Sequence, residues 1–237
     1  MEALVLERVK GLAPEKQTMK RTDYHFVQNA FDPNKLREVA NHLSTRFSGQ
    51  HPGSAREQKR VFQGVATDEV RFDPKWNEVW EHASETLLAV LVNHLFVIYP
   101  NQMRFICMPR HLVPWHQDSM YVKSKGMPLT CFVPLDDDPA NRSTLMFAEW
   151  SGGEIPHSPE DKYGGYELDH KFSHVEHFYL SLGDCLVFGD LCPHKTFVPQ
   201  GCNISRRSLE FRLLGQDQLQ AGHDYFSIAE NKLIHVP

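Results

Sequence analysis

A chain of 237 residues with 41% hydrophobic and 11% aromatic content carries enough apolar side chain for one sizeable core, and a single domain spanning 1–237 is expected. Its 25 Lys and Arg against 30 Asp and Glu leave a net charge of -5, which provides no broad cationic surface and argues against nucleic acid as a partner. No stretch approaches the ~18 apolar residues of a spanning helix, and charges interrupt the leucines of Met1 to Lys20 where a signal peptide would be continuous, so the chain is expected to be soluble, cytoplasmic and independent of membranes.

The first hundred residues read as a mainly helical flank. Asp32-Pro33 and Asp73-Pro74 each set a capping acid before a proline suited to the first helical turn. Leu36, Val39, Ala40, Leu43 and Phe47 follow the first pair at helical spacing. Trp76, Val79, Trp80, Ala83, Leu87, Leu91 and Leu95 follow the second, predicting one continuous helix there. From 101 to 215 the texture becomes short apolar runs between Pro, Gly and Asp. Strands are predicted at Met103 to Met108, Leu129 to Leu135, Thr144 to Phe147, Phe178 to Leu182, Cys185 to Phe188 and Ser208 to Leu214. Helices followed by strands predict a mainly β fold, an antiparallel double sheet of jelly-roll type with the helices packed outside it. Ser151 to Lys171, rich in Gly, Pro, Ser and charge, is expected to be a long loop and a candidate lid. The five cysteines form no C-x-x-C pair, and Cys107, Cys131 and Cys185 sit among apolar neighbours as core filler.

Trp115-His116-Gln117-Asp118 follows a predicted strand and a proline-containing turn, so an imidazole and a carboxylate two residues apart can face one side of an extended segment. His194 supplies a second imidazole just past the strand that the Gly183-Asp184 turn introduces. Two histidines and one carboxylate on one face of a metal leave the opposite positions open, the arrangement suited to iron(II) oxygen chemistry. H-x-D alone is weak in a chain with 14 histidines; order and context strengthen it. Further on, Arg206 and Ser208 project together from a strand whose Leu209, Phe211 and Leu213 face the other way. A guanidinium with a hydroxyl two residues on grips one carboxylate well, with Arg212 as a reserve anchor and Arg207 on the opposite face.

With these residues placed, the chain resembles the phytanoyl-CoA dioxygenase family of iron(II)/2-oxoglutarate oxygenases, from about Tyr24 to Leu214. The resemblance rests on Trp115-His116-Gln117-Asp118, the segment Leu129 to Asp137, the Gly183-Asp184 turn, His194, and Asn203-Ile204-Ser205-Arg206 leading into Ser208. It implies a double-stranded β-helix, with His116, Asp118 and His194 binding Fe(II), Arg206 with Ser208 and Thr196 holding 2-oxoglutarate, and O2 as oxidant. The implied reaction hydroxylates, cyclises or desaturates a small-molecule substrate in the biosynthesis of a specialised metabolite, releasing succinate and CO2. Ala148 to His157 stands where many members carry a Pro-Gly-Ser-His turn, which alters the pocket wall. Related halogenases replace the ligand carboxylate, whereas Asp118 is present here. Gln102, Arg104, Trp115, Tyr121, Phe147 and Trp150 are candidates for the substrate side. Two rival readings are a zinc enzyme, if a helix gathers His170, His174 and His177, and a jelly roll that keeps the ligands but serves as a non-catalytic sensor or carrier.

Overall fold

The structure, a computed structural model, describes residues 19–48, 72–98, 102–106, 112–121, 128–137, 144–158, 167–202 and 206–237. Residues 1–18, Cys107 and Met108, the loop centre 159–166 and Asn203 to Ser205 lie outside the described residues.

Two antiparallel sheets face each other, as the strand rhythm predicts. In chain order the elements are β1 (Tyr24–Val27), α1 (Pro33–Ser48), a 3-10 helix (Pro74–His82), α2 (Glu85–Val90), β2 (Phe96–Ile98), β3 (Gln102–Ile106), a 3-10 turn (Asp118–Met120), β4 (Leu129–Pro134), β5 (Thr144–Ala148), β6 (Val175–His177), β7 (Cys185–Gly189), β8 (His194–Phe197), β9 (Arg206–Leu214), a 3-10 turn (Gln216–Gln218), β10 (His223–Ser227) and β11 (Lys232–Val236). The larger sheet runs β1-β7-β4-β9-β2-β10-β11, with β3 also paired to β9; the smaller runs β6-β5-β8. Strands at 24–27, 96–98 and 223–236 therefore extend the sheet beyond the expected 101–215.

Side-chain alternation along β4, β7 and β9 sorts the larger sheet into two faces. Leu209, Phe211, Leu213, Cys131, Val133, Cys185 and Val187 join α1 and the second helical region in one buried cluster. Trp80 lies against Phe211 with ring centroids 4.9 Å apart and meets Phe31 edge-on at 5.3 Å. Phe132, Leu186 and Phe188 face the other way and meet Leu145 and Phe147 of the smaller sheet. The helices thus cover the outer face, and the smaller sheet closes the inner one.

Two predicted elements differ. The helix expected from Trp76 to Leu95 is broken: the 3-10 helix ends at Ala83, whose ψ is 136°, and Ser84 caps α2 by accepting from the Leu87 N–H at 3.2 Å. Ser84 also donates its N–H to the Ala30 carbonyl at 2.8 Å, so a local hydroxyl cap and a tertiary bond outcompete the continuous apolar period. The strand expected at Phe178 to Leu182 lies earlier, at Val175–His177, because those residues pair with Met146, Phe147 and Ala148. The Gly183-Asp184 turn is observed. Gly183 has φ +105°, and an added Cβ would lie 2.9 Å from the Phe31 carbonyl. The Asp184 carboxylate accepts from the N–H groups of Asn29 and Ser181, locking the turn to the start of α1.

Candidate metal centre

His116 and His194 are brought together by a two-residue antiparallel bridge. The His116 N–H donates to the His194 carbonyl at 2.9 Å, and the reverse bond measures 3.0 Å. Such a pair places both side chains on one face, and the rings lie 4.1 Å apart. The chain then turns into the short 3-10 segment, held by Ser119 N–H donating to the Asp190 carbonyl at 2.9 Å, which returns the Asp118 carboxylate to the same face. Asp118 Oδ1 lies 3.8 Å from His116 Nε2 and 4.0 Å from His194 Nε2. All three side chains are buried, and among the described residues no other group of His, Cys, Asp or Glu has metal-ligand spacing.

The donor atoms are prepared for a cation. His116 Nδ1 faces the Pro114 carbonyl at 2.9 Å and His194 Nδ1 faces the Cys192 carbonyl at 2.9 Å. With Nδ1–H donating to a carbonyl, the lone pair sits on Nε2, which faces the shared space. Burial pushes the His194 pKa below its ordinary 6.5 although Asp118 pulls it up, so the ring is neutral and able to ligate. Burial alone would raise the Asp118 pKa, but the Arg212 guanidinium, the two imidazoles and the Thr130 hydroxyl outweigh it and hold the carboxyl well below the usual range. Thr130 Oγ1 donates to Asp118 Oδ2 at 2.6 Å, and Arg212 Nη2 lies 3.2 Å from the same carboxylate. The residues fit a divalent ion with imidazole and carboxylate ligands and open positions opposite them, the donor set of non-haem iron(II).

Gln117 carries a structural burden that H-x-D spacing does not signal. Fully buried, its side-chain amide donates to the carbonyls of Leu191 at 2.7 Å and Gly153 at 3.3 Å, and it accepts from the Ile155 N–H at 2.7 Å. It joins the first histidine's segment, the loop before the second histidine, and the near end of the 151–171 loop. The flanks of that loop are further tied by His157 facing Leu168 and by the Leu168 N–H donating to the Trp115 carbonyl at 2.8 Å. Arg21 fixes the other side of the Asp190–Cys192 turn. Its Nε donates to Asp190 Oδ1 at 2.8 Å, and its backbone carbonyl accepts from Leu191.

Arg206 and Ser208 both lie on the inner face of β9, as their spacing predicts. Arg206 is buried with its guanidinium 4.7 Å above the Phe132 ring, and the buried Ser208 hydroxyl has no hydrogen-bond partner among the described residues. Thr196 shares the inner face of β8 with His194, but its hydroxyl already accepts from the Val113 N–H at 3.1 Å. Arg207 does face the helices, where it forms a two-pronged pair with Asp136 and reaches Ser44. Arg212 sits beside Asp118 rather than with Arg206.

The candidate substrate residues divide. Phe147 is buried between the sheets, stacked on Tyr24 at 4.8 Å and 6.0 Å from the His194 ring. Tyr121 meets the His116 ring edge-on at 5.6 Å and is half exposed. Trp115 and Trp150 are drawn instead to Phe172, at 4.8 and 6.4 Å, with Lys195 over Trp115 and His170 against Trp150. Alternation explains Trp115: the residue before an inward His116 faces outward. Gln102 and Arg104 stand on β3 opposite Glu210 and Ser208. The proposed zinc triad is not assembled. No helix forms there; His170 packs on Phe172, His174 contacts Ser173, and His177 ends β6 stacked on Phe197.

No protein-family model matches the chain, and no curated protein does. Solved structures do. The non-heme monooxygenase ThoJ in its apo form is 17% identical with a TM-score of 0.56, over 88% of this chain and 81% of that one. EvdO2 from Micromonospora carbonacea var. aurantiaca, complexed with 2-oxoglutarate, is 16% identical with a TM-score of 0.58, over 82% and 87%. The epimerase SnoN in complex with Fe3+, alpha ketoglutarate and nogalamycin RO is 12% identical with a TM-score of 0.54, over 90% and 83%. At these identities the likeness establishes the jelly-roll fold.

Proposed function

We propose that this chain is an iron(II)- and 2-oxoglutarate-dependent oxygenase of the phytanoyl-CoA dioxygenase type that oxidises a C–H bond of a small molecule. The observation that carries the reading is the convergence of His116, Asp118 and His194 from distant parts of the sequence onto one buried space inside a jelly roll. Two structural neighbours, EvdO2 and SnoN, are described with 2-oxoglutarate bound, and SnoN with iron, in support of the same reading.

His116, Asp118 and His194 would hold the ion. When bound, the ferrous ion and 2-oxoglutarate supply the oxidising power, coupling O2 and decarboxylation to succinate with attack on the substrate. The protein's own work is orientation and exclusion of water. Arg206 and Ser208 receive the distal carboxylate, where the otherwise costly burial of a hydroxyl without a partner is relieved. Phe132, Phe147 and Phe188 wall one side of the space with apolar rings. The reading extends to the biosynthesis of a specialised metabolite, in support of which the neighbour SnoN is solved with nogalamycin RO.

The reading is tested anaerobically and then in air. Iron(II) with 2-oxoglutarate should give the weak visible absorption of the chelate, and admission of O2 should yield succinate. Arg206→Met should raise the 2-oxoglutarate requirement at least tenfold, the scale of one lost charge-assisted contact. An iron-loaded parent that gives neither absorption nor succinate is a binding module, and the proposal fails.

A further inference from the structure

The segment that delivers His116 and Asp118 has two edges. On one, His116 exchanges both of its backbone bonds with His194. In extended chain the next N–H, that of Gln117, points to the other edge. There the acceptor is not a carbonyl but the side chain of His157, whose Nε2 lies 3.2 Å away. Gln117 is fully buried, where an N–H that loses its acceptor is costly. A backbone donor between two metal-facing residues thus depends on a side chain that titrates near neutral pH.

His157 belongs to a limb, 150–158, laid along this segment. The Gly153 carbonyl accepts from the Gln117 amide at 3.3 Å and from the Trp150 indole N–H at 2.7 Å, and Ser119 Oγ donates to Glu154 at 3.2 Å. The returning limb braces it from the far side. Ser158 N–H donates to the Glu167 carbonyl at 2.7 Å, and Asp169 N–H to the Pro156 carbonyl at 3.1 Å.

One protonation state fits this contact. Nε2 accepts only through its lone pair, so the ring is neutral with its proton on Nδ1, where the Ile155 carbonyl receives it. Burial pushes the His157 pKa below its ordinary 6.5, against the pull of Glu154 and the Ile155 carbonyl. Glu154 is the charged neighbour on the same limb, and it also faces Arg21. Glu167 and Asp169, both exposed, flank Leu168 across the bridge from His157, while His116 and Asp118 turn to the metal side.

We infer that His157 is a positioning residue for the metal centre: as a neutral acceptor it holds the 150–158 limb on the segment bearing His116 and Asp118, and on protonation it lets go. A protonated ring sets one donor against another, and the Gln117 N–H loses its partner. Once released, the ring regains its ordinary affinity for a proton, so protonation and release favour one another. The limb is therefore held at neutral pH and freed as pH falls below the ordinary 6.5. The inference stands on the contacts of this limb, whichever ion or co-substrate the centre takes.

Full-length, metal-free protein is followed by nitrogen NMR and amide exchange from pH about 7.5 to about 5.5. At the upper pH the parent should show His157 with its proton on Nδ1 and a bare Nε2. As the ring titrates, protection of the Gln117 amide should fall, by at most about tenfold per pH unit, the limit set by one proton. The Ile155 amide and the Trp150 indole N–H should lose protection in step. His157→Gln, whose side-chain carbonyl accepts at every pH, should keep the protection throughout. His157→Lys, which has only donors, should start without it and stay so. His194 is retained in all three proteins, so a fall shared equally by the parent and His157→Gln belongs to another group and overturns the inference. A parent ring that carries its proton on Nε2 at neutral pH overturns it on the unaltered protein alone.

Discussion

At the scale of single residues, the site depends on holding Asp118 charged and His194 neutral in a buried space. Both groups titrate in the folded protein below their ordinary values, 3.8 for the carboxyl and 6.5 for the imidazole. The imidazole therefore binds fewer protons folded than unfolded at mildly acid pH, and the carboxyl does so only near and below its ordinary 3.8, so of the two it is His194 that makes stability increase with pH between mildly acid and neutral pH. The contribution is intact above the unfolded values and is lost as pH falls toward the folded ones. Metal-free protein should accordingly show a urea midpoint that drops between pH about 7.5 and about 5.5, with a shallower drop in His194→Gln. A midpoint flat across that range, or one that rises on acidification, contradicts the assignment. The three metal-facing residues were legible in the sequence because H-x-D and a later histidine form a pattern with a chemical meaning. Gln117 and Thr130 were not, since they act through tertiary contacts that no local spacing encodes. Arg212 was legible only as a spare cation, its contact with Asp118 depending on the register of β9 against β4.

At the scale of elements, the end of β7 shows how closely the backbone must pack to deliver His194. An added Cβ on Gly189 would lie 2.3 Å from the Arg21 carbonyl oxygen, and no flexible side chain is there to give way. Gly189 N–H donates to the Asp23 carbonyl, and Leu191 N–H to Arg21, so the strap at 19–23 sets the turn that carries His194. Gly189→Ala should destabilise the protein by about 1–3 kcal/mol, the usual cost of overpacking, and should also weaken metal binding. Unchanged denaturant midpoint and metal affinity would show that the strap does not set the turn. The sequence announced β7 through its apolar run and its Gly-Asp entry. It did not announce the strap, because β1 is only four residues long and its pairing with β7 is visible only across the fold. Short elements fail the periodicity test for the same reason that Ser84 splits the second helix: local hydrogen bonds decide where the pattern is too brief or too even to decide.

At the scale of the molecule, the layers follow from alternation. β9 is the clearest case, with Leu209, Phe211 and Leu213 under the helices and Arg206, Ser208, Glu210 and Arg212 facing inward. That division was readable from one strand, and with it the jelly roll. The strands at 96–98 and 223–236 were not readable, because β10 and β11 alternate weakly and half their residues are exposed. Among the described residues no helix is long and apolar enough to cross a membrane. The ligands come from the bridge at 116, the turn at 118 and the start of β8, so a cation bound there ties together segments that the fold alone must otherwise hold. The most direct measurement is an equilibrium iron(II) titration under argon, comparing the parent with Asp118→Ala. The account predicts a single ion taken up per parent chain and no comparable uptake by the variant. Equal uptake by the two proteins would contradict it.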